Sequence, residues 1–392
     1  MMRFFENWFS VFFLFCIVFI PLNFDGFDFQ HHVTRFLFQD AVRFFEHIFS
    51  IDAFHSIDFS SDTISLSILI LLVVIIAFLV AIVITTFKLN LSKFSLISRT
   101  ILVYYLAFVL LKYGFDKLFK AQFYLPEPNI LNTDFGNLSR DILYWSTMGT
   151  SRFYCISLGI IEIVTAFLLL FRCTRILGLL VALVVFTNVV LVNFGFDISV
   201  KTFSLLLLLM CLFSFYPNFK SLYSFLIQQK TTNLSQPKWY SETQNPKIYA
   251  LKTATIGIFL TVILFPYFEI SNFNDDAFPR PFLHGSYLVI ESNQPKNDQK
   301  IARFYIHRKN YFIFEFQNGT RKDYYCKIDS VSKTMQLTDY RDNKSKINFK
   351  YFKKDSLLQL RFNNLEITAK AENWRKMKVL LNDFHFFVDD VK

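Results

Sequence analysis

What this chain lacks narrows its chemistry first. Its five cysteines (Cys16, Cys155, Cys173, Cys211 and Cys326) are scattered, with no CxxC and no Cys/His spacing suited to zinc. A thiol relay needs two neighbouring thiols, and no two are close in sequence; a long-range Cys155–Cys326 bridge is the one pairing left open. No P-loop, GxSxG or HExxH occurs, which argues against nucleotide-driven and common hydrolytic chemistry. Only 18% of the 392 residues are charged. No histidine falls inside a hydrophobic run, so haem held by two membrane histidines is not expected.

What is abundant is apolar: 53% of residues are hydrophobic, and 52 are Phe. They gather in runs of about 18 or more, enough to cross a ~30 Å hydrocarbon core as helices. Seven spans are expected: Trp8–Leu22, Ile64–Phe87, Ile97–Phe115, Phe153–Phe171, Ile176–Phe194, Val200–Tyr216 and Tyr249–Phe268. The first follows Arg3 and ends Phe19-Ile20-Pro21-Leu22-Asn23, without the small residues of a cleavage site, so it reads as a retained helix. Turns between the fourth, fifth and sixth spans are very short, making those helices antiparallel neighbours.

The formal charge of +10 does not mark a nucleic-acid surface, because much of it flanks hydrophobic runs. Lys88, Lys93 and Arg99 share one loop, Arg172 and Arg175 a second, and Lys220, Lys230, Lys238 and Lys247 a third. These alternate with acidic or mixed loops: Asp25–Asp62, Lys117–Arg152 and the Asp197 turn. Positive loops stay inside, so the N-terminus is expected in the cytoplasm and the C-terminal region outside. The arginines themselves read as orientation signals and lipid-phosphate contacts.

Within the first outer loop, Phe38, Val42 and Phe45 recur at helical spacing among Arg35, Asp40 and Arg43, which predicts an interfacial helix in Phe27–Ser50. His31, His32 and His47 lie in it, without the His-x3-His spacing that would favour a metal.

From Ser286 onward the period becomes two. Ile347, Phe349 and Tyr351 alternate with Lys346, Asn348 and Lys350; Leu358, Leu360 and Phe362 with Gln359 and Arg361; Leu365, Ile367 and Ala369 with Glu366, Thr368 and Lys370. Asn318-Gly319, between Tyr311–Phe316 and Asp323–Ile328, signals a hairpin, and Asn363-Asn364 reads the same way. About eight short strands suit a small antiparallel barrel or sandwich. Such a domain would bind an apolar ligand, dock a partner or cap the membrane part.

The informative polar residues are those in the membrane. Glu162 falls roughly 12 Å into the fourth span at 1.5 Å per residue, on a face with Cys155, Gly159, Thr165 and Ala166 that allows close helix approach. Candidate partners are Lys117 and Gln122 after the third span, Asn188 in the fifth, and Asn193, Asp197 and Lys201 at the turn into the sixth. As a site, Glu162 is a proton acceptor or hydrogen-bond partner, and Lys117 and Lys201 are cationic contacts. As structure, Asp197 caps the sixth helix, the lysines snorkel and Asn188 satisfies Glu162. The residues leave both readings open.

Three segments resemble the DoxX-like membrane family. Tyr113-Gly114-Phe115-Asp116-Lys117-Leu118-Phe119, followed by Gln122-Phe123, is similar to the end of that family's first helix. Gly159-Ile160-Ile161-Glu162, then Leu168-Leu169-Leu170-Phe171-Arg172-Cys173-Thr174, resembles its second helix and cytoplasmic turn. Asn193 through Ser204 resembles the connection between its third and fourth helices. The resemblance covers Ile97–Leu222 and is nearest to longer versions from Bacteroidetes-type bacteria. It implies a four-helix core in an inner-membrane protein, and a lipid-soluble ligand such as a quinone serving envelope redox chemistry; the loop charges put the β domain in the periplasm. No other cofactor and no metal is implied. The domains expected are 1–96 (two spans and the interfacial helix), 97–222 (the core), 223–270 (cytoplasmic linker and seventh span) and 271–392 (the β domain). Two N-terminal helices, the seventh span and the β domain depart from the simple family pattern, as does the lack of paired cysteines. The alternative function is a non-enzymatic scaffold or assembly factor whose periplasmic β domain docks a partner protein. A small-solute transporter is the third reading, although no Gly/Pro-broken helix pair supports it.

Overall fold

The computed structural model describes residues 2–22, 28–48, 57–87, 94–231, 246–270, 280–294, 300–362 and 365–381. The chain forms two compact units: residues 1–116 with 157–266, and residues 117–156 with 267–392. This division differs from the linear one, because the stretch between two apolar helices leaves the helical core and joins the β domain.

The helical unit is built from α1 (Met2–Phe19), α2 (Phe29–Ile48), α3 (Ile64–Thr86), α4 (Phe94–Leu118), α7 (Arg152–Leu170), α8 (Arg175–Gly195), α9 (Lys201–Leu226) and α10 (Pro246–Ile270). Among the described residues, six helices are long and apolar enough to cross a membrane: α3, α4, α7, α8, α9 and Tyr249–Glu269 of α10. The expected first span, Trp8–Leu22, carries a helix as well, α1 over Met2–Phe19, whose first turns hold Arg3, Glu6 and Asn7 and which is not among those six. Its buried residues, Val11, Phe12, Phe13 and Cys16, join the helical core.

Helix ends must find partners for their orphan backbone groups, and this unit supplies them from other helices. Gln30 of α2 donates through Nε2 to the carbonyls of Ile17 (3.0 Å) and Ile20 (2.8 Å), and its Oε1 accepts the Leu22 N–H at 3.1 Å. Thr34 donates to the Phe19 carbonyl at 2.9 Å. The expected helix in the first outer loop is therefore present as α2, and it closes α1. Thr63 accepts the Leu66 N–H at 3.1 Å to start α3. Arg175 is 1% exposed and donates from Nε to the Leu169 carbonyl at 2.9 Å, so it closes α7 instead of reaching lipid phosphate.

The second unit is a closed antiparallel meander of eight strands: β1 (Gly285–Ser292), β2 (Ile301–His307), β3 (Tyr311–Phe316), β4 (Arg321–Asp329), β5 (Thr334–Thr338), β6 (Lys344–Phe352), β7 (Leu357–Phe362) and β8 (Leu365–Ala371). The barrel alternative holds, and β1 closes onto β8 through Val289↔Ala369. Each alternation resolves as expected: Ile347, Phe349, Leu358, Leu360, Ile367 and Ala369 are buried, while Lys346, Asn348 and Lys350 are exposed. Gly319 takes φ +77° in the β3–β4 turn, where its N–H reaches the Phe316 carbonyl at 2.9 Å. Asn363-Asn364 lies outside the described residues. Rings of Tyr287, Phe304 and Phe312 stack at 5.1 Å steps through the interior. These rings belong to the apolar core of the barrel.

Residues 117–156 carry α5 (Pro128–Leu131) and α6 (Arg140–Thr150), and a buried carboxylate clasps them to the barrel. Glu127, 1% exposed, sits immediately before α5. Its Oε2 lies 2.8 Å from His284 Nε2 and accepts the Arg308 backbone N–H at 3.2 Å. The Arg308 guanidinium lies 3.0 Å over the Tyr124 ring. Burial pushes the Glu127 carboxyl up, but the His284 hydrogen bond and charge, the His307 charge and the Arg308 N–H outweigh it, holding it below its ordinary range. Nearby, Arg321 donates to Thr133 Oγ1 and to the Asn132 carbonyl (3.1 Å) while pairing with Glu315 at 2.5 Å. None of this clasp was visible from sequence, because Glu127 is 157 residues from His284.

Candidate functional site

A cavity of about 490 Å³ lies within the helical unit, between α1, α4 and α9. That volume falls in the range of small-molecule pockets. Its walls are Phe5, Phe9, Phe12, Phe13, Leu209, Leu212 and Phe213, with Glu6, Arg99 and Tyr216 as the polar lining. Five of its ten lining residues are phenylalanines. Ser10 and Ser98 bridge α1 to α4 by a buried hydroxyl pair at 2.9 Å, holding the two helices beside the cavity.

Arg99 is the chemically distinctive residue. Its side chain is 14% exposed, and Nη2 is 3.6 Å from Glu6 Oε1, beyond a good hydrogen bond. The guanidinium lies 5.0 Å from the Phe213 ring centroid. Nε and Nη2 are buried without a hydrogen-bond acceptor. Desolvating a donor without replacing its bond costs on the order of 1–3 kcal/mol, more for a charged group. Those two nitrogens are closed off from the cavity as well as from water, so the guanidinium meets the cavity only through the part of its side chain that stays exposed.

No family model matches the chain, and no solved structure matches it. A protein of Bacillus subtilis (strain 168), "Uncharacterized protein YwoB", is 34% identical over 108 residues, covering 28% of this chain and 68% of that protein. The chain belongs to the YwoB family. Membership brings no activity with it, since that relative is itself described as uncharacterized.

In this YwoB-family chain the seven polar residues singled out by sequence fall in different settings. Glu162 is 6% exposed, so it faces protein. On α4, Tyr113 lies within electrostatic reach of Asp116 and Glu162, and Lys112 pairs with Asp116 at 2.5 Å. The close approach read from Gly159 is real: a Cβ on Gly114 would meet the Gly159 carbonyl at 3.0 Å and Ile163 at 2.7 Å. Asn188 is exposed on α8, which removes it as the group that satisfies Glu162.

Asn193, Asp197 and Lys201 share the α8–α9 turn, where Asp197 takes φ +55° and pairs with Lys201 at 2.6 Å. Asp197 does not cap α9. Asp62 does, its carboxylate accepting the Lys201 N–H (2.7 Å) and the Thr202 N–H (2.9 Å) from 139 and 140 residues away in sequence. Lys117 is 7% exposed and lies 5.8 Å from the Phe123 ring, and Gln122 Oε1 is buried without a hydrogen bond. Cys155 donates to the Lys117 carbonyl at 3.5 Å. All five cysteines are unbridged, so the Cys155–Cys326 disulfide does not form. Among the described residues no group of three or more His, Cys, Asp or Glu side chains is placed to hold a metal.

Proposed function

We propose that this protein binds a lipid-soluble molecule with a hydrogen-bond-accepting head in the Arg99 cavity, and that the head is the carbonyl of a quinone. The observation that carries this reading is a largely buried guanidinium, Arg99, held by Glu6 only at 3.6 Å and lining a phenylalanine-rich cavity of about 490 Å³. The resemblance to DoxX-like proteins makes a quinone the first ligand to test, in support of envelope redox chemistry. A bound quinone supplies two-electron redox chemistry; Arg99 would orient its carbonyl, and the phenylalanines would hold ring and tail. This moves the site from the Glu162 region to the opposite end of the helices.

The loop charges support a bacterial inner-membrane location with the N-terminus and the Arg172–Arg175 turn in the cytoplasm and the β barrel in the periplasm. Cys173 in that turn is exposed while the other four cysteines are buried. An impermeant maleimide should label Cys173 only after cells are opened; labelling of intact cells would reverse the topology.

Ligand binding is tested on detergent-purified protein by quinone titration and by analysis of co-purifying lipids. Replacing Arg99 by Leu removes a charged hydrogen bond of about 1.5–3 kcal/mol, or roughly 10–100-fold in affinity. Unchanged quinone binding in Arg99→Leu sinks the reading, and a co-purifying phospholipid without quinone would reassign the head to phosphate.

One observation favours the scaffold reading for the barrel: Tyr325 and Tyr340 are exposed and stand in a row with Tyr311, the rings tilted at 5.0 Å and edge-on at 5.7 Å. Tyrosine is enriched at protein interfaces. A photo-crosslinker at Tyr340 should capture an envelope protein in cells, and an uncrosslinked barrel would count against it.

A further inference from the structure

The walls of the Arg99 cavity are graded from outside to inside. On α1 its lining residues Phe5, Phe9, Phe12 and Phe13 fall on one helical face, and on α9 Leu209, Leu212, Phe213 and Tyr216 do the same. Exposure divides each set. Phe5, Phe9, Leu209, Leu212 and Tyr216 are 40% to 58% exposed, whereas Phe12 is 9% exposed. The half-buried Phe213 ring lies against Phe9 and Phe13 at 6.2 and 5.5 Å, joining α9 to α1. The cavity is therefore a slot, with lips of Phe5 and Phe9 on one side and Leu209 and Leu212 on the other, over a floor of Phe12 and Phe213.

Polarity is graded along the slot as well. Glu6 stands 3.6 Å from Arg99, and Tyr216 lies within electrostatic reach of the same guanidinium, so the polar lining gathers at one end. From there the slot runs seven residues along each helix, 6 to 13 on α1 and 216 to 209 on α9, or about 10 Å at 1.5 Å per residue. Phe13 and Leu209 mark the far end, which is apolar. Glu6 and Arg99 sit within the first two turns of α1 and α4, so the apolar end points toward the middle of the helices. A lipid leaflet has the same order, polar at its face and hydrocarbon within.

The lips decide how the slot is reached. α4 and α9 are long and apolar enough to cross a membrane, and the exposed lip residues beside them are apolar. Beside such helices these residues face acyl chains, which are as apolar as they are. A water-borne ligand would have to pass an apolar rim, whereas a molecule already dissolved in the leaflet meets that rim sideways.

We propose that the slot is a lateral port: its ligand is a tailed amphiphile that enters between α1 and α9 from the leaflet at the Arg99 end, its tail lying on Phe12 and Phe213 and its head stopping beside Arg99 and Tyr216. The port rests on the reading of this cavity as a binding site, and it adds the route of entry and the shape of the ligand.

The test uses the full chain in vesicles of phosphatidylethanolamine and phosphatidylglycerol that carry a phospholipid with a trifluoromethyl-diazirine on its acyl chain. Carbene adducts are mapped by mass spectrometry after illumination. Phe12 and Phe213 on the floor should be labelled, as should Ile258, which is 61% exposed on α10 and outside the slot. Leu212→Trp narrows the mouth from α9 and should lower floor labelling several-fold relative to Ile258. Phe9→Trp does the same from α1 and serves if Leu212→Trp does not fold. Decylubiquinone added to the vesicles should displace the acyl chain and lower floor labelling too. Floor labelling that is absent, or unchanged by both substitutions, overturns the port whatever the quinone titration shows. Floor labelling that responds to the substitutions but not to decylubiquinone upholds the port and removes the quinone from it.

Discussion

The two units hold their polar groups in opposite ways. In the helical unit the described polar side chains mostly answer backbone: Gln30 and Thr34 close α1, Arg175 closes α7 and Asp62 opens α9. In the barrel unit they answer one another. Glu127 meets His284, and Glu315 gathers Arg303, Arg321 and the Tyr305 hydroxyl. Helices satisfy their own backbone except at the ends, so that is where an apolar bundle needs polar help. A loop laid on a barrel has no such ladder and is fixed by side-chain pairs. The lesson is that a buried charge in the barrel unit is structural when its partners surround it, whereas Arg99, at the wall of the bundle's cavity, has its acidic partner Glu6 only at 3.6 Å.

This contrast can be broken most forcefully at Glu127. Glu127→Ala removes one side of a buried pair and should destabilise the barrel unit by about 3–5 kcal/mol, read from denaturant unfolding followed by barrel fluorescence. A loss under 1 kcal/mol would show that the clasp holds nothing. Phe312→Ala, at 0% exposure in the barrel interior, should also cost about 3–5 kcal/mol; a smaller loss would mean the interior is loosely filled.

Acid sharpens the same comparison. His307 is held below its ordinary 6.5 and Glu127 below its ordinary 4.5. For both, the unfolded chain binds protons at a higher pH than the folded one does, so stability is complete above those values and is lost as pH falls through the depressed ones. The barrel unit should weaken in two steps, the first starting below about 6.5 and the second below 4.5. A profile flat from pH 7 to 3 would contradict it.

Smaller effects follow. Asp62→Ala should cost about 0.5–2 kcal/mol as a helix cap, measured by the thermal unfolding of the helical unit, and Asp197→Ala less. The reverse order would restore Asp197 as the cap. Smallest of all is Arg361–Glu366, 70% and 60% exposed at 2.7 Å, where breaking the pair should change stability by less than about 1 kcal/mol.

The fold was legible wherever one physical period dominated. Apolar runs marked six helices, closely for Ile64–Phe87 against Ile64–Thr86 and ten residues short at the end of Lys201–Leu226, and period-two alternation placed Leu358, Leu360 and Ile367 inside the barrel. The first expected span is also a helix, α1, with Arg3, Glu6 and Asn7 in its first turns. The site was less legible. Lys201 and Asp197 were rightly paired by their spacing of four, but the cap on the same turn came from Asp62, which no local pattern announces. Arg99 read as a topology signal, since only α1 and α9 packing around it reveals a cavity.

The sequence by itself determined which segments are apolar helices, which are strands, and which strand face turns inward, because burial follows from local hydrophobic period. Only the tertiary structure decided that residues 117–156 belong with the barrel, that Glu127 lies between His284 and Arg308, and that Arg99 lines a cavity. Those outcomes depend on desolvation, and whether a charge is desolvated is set by neighbours that arrive from tens to hundreds of residues away.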